Sequence, residues 1–139
     1  MRRLDATPQL KFIAFKIAYD NIKKHIELGN YLAAYVISFS IVEDRIRSLY
    51  YLFYVRKNNS IPSENKMKEG FLLLVKKMSS EGLLDSTIEE SLKSEAVERN
   101  RLFHSTMWNL DGFSLEKVIR VVKLARAVDK ILKKYKKYV

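Results

Sequence analysis

Apolar positions recur along this chain at steps of three and four residues, and no segment sustains a step of two. That period belongs to α-helices with one buried face. Thr7-Pro8 offers a capping hydroxyl followed by Pro at the first helical position. Leu10, Ile13, Ile17, Ile22 and Ile26 then mark a first helix, and Gly29-Asn30 marks its stop. A second helix is predicted over about 31–57. Its first half is apolar nearly all round, so it should be the most buried element. From Glu43 onward Ile46, Leu49, Tyr50, Phe53 and Tyr54 keep one face apolar, with Arg45, Arg47 and Ser48 between them. The polar run 58–62 breaks the pattern. A third helix over 63–78 carries Met67, Phe71, Leu74, Val75 and Met78, and Ser79-Ser80-Glu81-Gly82 ends it. Ser86-Thr87-Ile88-Glu89 has the form of a capping box and opens a fourth helix to about Trp108. After a turn at 109–113, Ser114 caps a fifth helix running to Lys137. The pattern predicts an all-α bundle of four main helices and a shorter third one.

With 139 residues, no internal repeat and no linker, one domain over 1–139 is expected. Four Gly and two Pro are too few for the turns of a sandwich or barrel. The absence of Cys excludes disulfides, thiolate zinc sites and a Cys nucleophile. His25 and His104 are the two histidines, which excludes a His-rich metal site. No metal or other cofactor is expected. The longest apolar stretch, Tyr31 to Val42, is interrupted by Ser38 and Ser40 and ends at Glu43-Asp44. A bilayer needs about 20 helical residues, so this stretch suits a buried core. The polar N-terminus has no apolar signal core. A cytoplasmic protein that does not span a membrane is expected.

Charge changes the picture. The net charge is +10, which points to a polyanionic partner. From Ser114 to Val139 nine basic residues face two acidic ones. Lys123, Arg126, Lys130, Lys133 and Lys137 follow helical steps on one face, while Val118, Val121, Val122, Ala125, Val128, Ile131 and Leu132 line the other. Such a stripe is either a solvated helix face or a track for phosphates.

Common phosphate-loop, zinc-protease and calcium-loop signatures are absent. Glu43 and Asp44 are adjacent, and adjacent helical residues diverge by about 100°, so the pair cannot clamp one ion. What remains is Glu98-Arg99-Asn100-Arg101-Leu102-Phe103-His104, late in the fourth helix. Asn100 and His104 are four apart and share a face. Arg99 and His104 are five apart, about 140° around the axis. They converge only if the helix distorts, if Arg99 curls round, or if a second copy completes the site. Otherwise they are a surface Arg and a His placed where a cation suits the helix dipole.

Arg99-Asn100-x-x-x-His104 resembles the hallmark of the HEPN superfamily: Arg, a polar residue, a short spacer and His, late in the penultimate helix. The apolar second helix interrupted by Glu43-Asp44 is similar to that family's second helix, which often places a carboxylate near the motif. The five-helix order and the amphipathic last helix also match, and the resemblance extends over about 10–134.

The resemblance implies a five-helix HEPN-like bundle and a metal-independent endoribonuclease that acts as a homodimer, with two motifs facing each other. RNA supplies its own nucleophile, the 2′-OH. His104 would be the general acid and base, Arg99 would stabilise charge on the phosphorane, and Asn100 would position His104 or the phosphate. The product would be a 2′,3′-cyclic phosphate. Glu43 would be the supporting carboxylate, with Arg101, Lys123, Arg126, Lys130, Lys133 and Lys137 as RNA contacts.

Family members of this kind serve as toxins, in phage defence or in RNA processing, and an antitoxin encoded nearby is a further expected partner. In members regulated by a nucleotidyltransferase antitoxin, a modified Tyr lies two residues after the His, whereas Thr106 stands there in this chain. The rival expectations are a catalytically inactive HEPN-like RNA- or protein-binding module and a basic helical protein held at anionic membranes. His25 reads as a surface or boundary residue. Tyr31, Tyr35, Tyr50, Tyr51 and Tyr54 read as core or dimer interface ahead of a base-stacking platform. Trp108 suits either a base stack or the core.

Overall fold

The computed structural model describes residues 8–105 and 112–137. Among them are six α-helices and no strand: α1 (Pro8–Glu27), α2 (Tyr31–Asn58), α3 (Glu64–Met67), α4 (Phe71–Ser80), α5 (Ser86–Ser105) and α6 (Leu115–Lys137). Thr7, the Leu10 side chain, Thr106, Trp108 and residues 109–111 of the turn expected at 109–113 lie outside the described residues.

The α2 helix is the central element. It runs against α6 along most of its length, carries α1 on a second side and α4 on a third, while α4 and α6 both pack on α5. Its apolar first half buries Ala34, Tyr35, Phe39, Ile41 and Val42. Ser38 is tolerated among them because its hydroxyl donates to the Ala34 carbonyl at 2.7 Å. Asn30 caps the helix through the Ala33 amide. Gly29, at φ +72°, makes the left-handed turn that separates α1 from α2, a conformation without penalty for glycine. Leu92, Leu102, Val118, Val121, Val128 and Leu132 complete the core from α5 and α6.

Four details differ from the pattern in the sequence. The third helix is two helices, α3 and α4, broken at Gly70. Gly is a poor helix interior residue, and Arg47 donates from Nη1 to the carbonyls of Met67 and Glu69 at 2.8 and 3.0 Å, which satisfies the backbone at the break. The α5 cap is Asp85, whose Oδ1 accepts from the Ile88 amide at 2.8 Å. Ser86 is therefore the first helical residue, and Glu89 pairs with Lys93 at 2.9 Å instead of closing a capping box. On α1 the inward face is Phe15, Ala18, Tyr19, Ile22 and Ile26, while Ile13 and Ile17 are 51% and 54% exposed. The five-residue step from Ile17 to Ile22 rotates about 140°, so the two cannot share one narrow face. Finally, Arg45 is only 7% exposed. Its guanidinium lies 4.3 Å from the centre of the Phe15 ring and donates to Asp44 Oδ2 at 2.6 Å and Asp129 Oδ1 at 3.2 Å.

Arg45→Ala should lower folding stability by about 3 kcal/mol, because Asp44 and Asp129 lose their buried partner and keep only the more exposed Lys11 and Lys133, and a packed volume is emptied. Urea denaturation should show a lower midpoint at unchanged slope. Burial alone would raise the Asp44 carboxyl, but the Arg45 hydrogen bond and the Lys11 charge more than reverse this and hold it below its ordinary 3.8. A depressed folded-state value stabilises the fold above the unfolded value and ceases to do so as pH falls through the folded one. Asp44→Asn should therefore flatten the acid limb of the stability profile below about pH 3.8, as read by urea midpoints.

Candidate functional site

Helix α5 turns Leu92, Glu95, Ala96, Arg99, Leu102 and Phe103 toward the bundle, following three- and four-residue steps. Arg99 therefore points toward α2. Its Nη1 donates to Glu43 Oε1 at 2.7 Å, and its guanidinium lies 4.4 Å from the centre of the Phe39 ring. Both partners keep contact with water, with side chains 23% and 31% exposed. Asn100 and His104 are exposed on the same helix. The structure thus brings Arg99 and Glu43 together and leaves Asn100 and His104 facing solvent. Because α5 is an unbroken α-helix through Ser105, it supplies no distortion that turns Arg99 toward His104. The bond to Glu43 also draws Arg99 toward α2.

Glu43 and Asp44 diverge as adjacent helical residues must: Glu43 meets Arg99, and Asp44 meets Lys11 at 3.4 Å. Arg101 is exposed and donates from Nε to Glu98 Oε1 at 2.8 Å. On α6, Lys123, Arg126, Lys130, Lys133 and Lys137 are all exposed. Arg126, Lys130, Lys133 and Lys137 line a groove shared with α1, whereas Lys123 lines a second one shared with α5, beside Glu90, Glu95 and Glu98. The stripe is thus divided between two surfaces of different charge.

The sequence pattern missed a buried polar cluster behind the motif. Glu95 is 4% exposed and pairs with Arg120 of α6. The fully buried Tyr35 hydroxyl has no hydrogen-bond partner among the described residues. Burial pushes its pKa up, and the Glu95 and Glu98 carboxylates push it further, so it stays neutral. The available signal was a carboxylate at a core register, three residues after Leu92 and next to Ala96. Tyr35 and Tyr50 are buried in the core, while Tyr31, Tyr51 and Tyr54 are half-buried. His25 is half-buried at the α1 boundary.

Among the described residues no group of three or more His, Asp or Glu is placed to hold a metal ion. No helix among them is long and apolar enough to cross a membrane. No family model matches the chain, and neither the curated proteins nor the solved structures contain a match.

Glu43→Gln should cost less than about 1 kcal/mol of folding stability, because a half-exposed ion pair is screened by water. Leu102→Ala, one turn beyond Arg99 on α5 and fully buried, should cost about 2–5 kcal/mol. Parallel urea titrations of the two variants check the contrast.

Proposed function

We propose that the chain is a metal-independent endoribonuclease of the HEPN type that acts as a homodimer. The observation that supports this most is the Arg99–Glu43 contact on the helix that also exposes Asn100 and His104. It joins a guanidinium to a carboxylate of the facing turn of α2, with the amide of Asn100 and the imidazole of His104 exposed within one and a half turns of α5.

The chemistry needs a proton carrier and a stabiliser of phosphorane charge, since the RNA 2′-OH is the nucleophile. His104 has the side chain suited to proton transfer near neutral pH. Arg99 keeps guanidinium donors beyond the one on Glu43 and can present them to phosphate oxygens. Asn100, on the same face as His104, positions the imidazole or a phosphate oxygen. Helical geometry sets Arg99 and His104 about 140° apart on one copy. A two-fold axis beside α5 lets Arg99 of one protomer and His104 of the other address one phosphate.

A specific observation favours the second reading, a catalytically silent RNA- or protein-binding module. Arg99 is already held by Glu43 and stacked on Phe39, as a purely structural arginine would be.

Incubation with RNA in EDTA separates the two readings. Cleavage should persist under chelation and leave 2′,3′-cyclic phosphate ends. Folded His104→Ala should lose about 10²–10⁴-fold in rate. Arg99→Lys keeps the charge but loses the planar fork, so its rate should also fall sharply. Asn100→Ala should be milder. Sedimentation of an active sample should give a dimer mass. Wild-type cleavage by folded His104→Ala refutes the assignment.

A further inference from the structure

The groove between α1 and the C-terminal half of α6 has a volume of about 1120 Å³. Nine of its sixteen lining residues are Lys or Arg, two are Asp and three are aromatic. Asp129 is already taken by Arg45 and Lys133, which leaves Asp20 as the other acid. Lys130, Lys134, Lys136 and Lys137 have no ion pair among the described residues, so the α6 wall carries a row of uncompensated charge. From Arg126 to Lys137 that wall extends about 16 Å along the helix axis.

The α1 wall adds a different chemistry. Phe15 is covered by the Arg45 guanidinium at 4.3 Å and Tyr19 by that of Arg126 at 5.0 Å. Among the described residues no cation covers Phe12, which is 71% exposed. A ring left open opposite a row of ammonium groups suits a ligand that has both phosphates and free aromatic faces. A duplex keeps its bases stacked, and a flat lipid surface cannot enter a groove. An unpaired strand offers both features.

We propose that this groove binds a single-stranded segment of RNA, with Lys130, Lys133 and Lys137 on its phosphates and Phe12 stacked on a base. The choice of RNA rests on the ribonuclease reading above, but the groove contains none of Arg99, Asn100 or His104.

The test uses the full chain and a fluorescent 2′-O-methyl oligouridine of about twelve nucleotides. That probe lacks the attacking hydroxyl, so binding is read without cleavage. Anisotropy at several salt concentrations should give an affinity that falls linearly on a log–log plot. The triple change Lys130→Gln, Lys133→Gln and Lys137→Gln should flatten that slope by about 2, at about 0.7 for each lost phosphate contact. Phe12→Ala should weaken binding about tenfold at an unchanged slope. Circular dichroism confirms that these surface variants are folded.

An unchanged slope in the triple variant overturns the proposal. So does wild-type affinity in Phe12→Ala, equal affinity for a duplex of the same length, or complete displacement of the probe by phosphatidylserine vesicles. The two proposals fail separately. Uncleaved natural RNA with groove binding intact removes the ribonuclease reading and leaves the groove. Cleaved RNA with wild-type binding by the triple variant removes the groove alone.

Discussion

Three consecutive residues of α2, Glu43, Asp44 and Arg45, tie the central helix to three different neighbours. Glu43 holds Arg99 of α5, Asp44 holds Lys11 of α1, and Arg45 holds Asp129 of α6. Successive helical side chains turn by about 100°, so three in a row sweep most of the circumference. The junction sits where the apolar half of α2 gives way to its amphipathic half. Arg45 matters most, because it is the buried member. A guanidinium removed from water destabilises a fold unless its donors meet acceptors, and here carboxylates of α2 and α6 and the face of Phe15 meet it. The Arg45–Asp129 pair adds a specific charge contact to the apolar packing of α2 on α6 and ties the two helices in one register.

The regular parts of the fold were legible because burial follows helical period. The apolar face of α6, the cap at Ser114 and the turn at Gly29-Asn30 could all be read from local chemistry alone. The errors arose where a long-range partner overrode a local rule. Gly70 lies inside the helix expected over 63–78, but Arg47, more than twenty residues earlier, supplies the donors that make a break there stable. Ile13 and Ile17 are intrinsically more apolar than Tyr19, yet Tyr19 faces inward because Ile22 and Ile26 share its face. The pattern sets Arg45 with Arg47 and Ser48 between the apolar positions, although its register beside Val42, Ile46 and Leu49 is a core register.

The candidate site divides in the same way. Arg99, Asn100 and His104 were visible as residue types at a spacing. That Arg99 faces inward needed only the phase of α5, which Leu92, Ala96 and Leu102 set; that it meets Glu43 of α2 needed the tertiary fold. The Glu95–Arg120 pair and the buried Tyr35 hydroxyl needed the tertiary fold, since nothing local joins residues of α2, α5 and α6. This cluster gives α5 a polar back. Rotation of α5 that moved Arg99 away from α2 would also expose or unpair Glu95, so the motif is held in phase by a charge that takes no part in it.

The motif and the α1–α6 groove meet α2 on opposite faces. Ile41, Arg45 and Ser48 line the groove and lie within about 60° of one another around the axis, whereas Glu43 is directed about 140–160° from them. A helix with its side chains is about 10–12 Å across, so a strand seated in the groove of one copy must wrap the bundle to reach the motif of that same copy. A two-fold partner removes this difficulty, because its motif is not bound to the far side of the same α2. The five-residue offset of Arg99 and His104 and the opposed placement of groove and motif are thus two separate geometric arguments for the proposed arrangement, in which RNA held by one protomer would be cut at a site to which the other contributes.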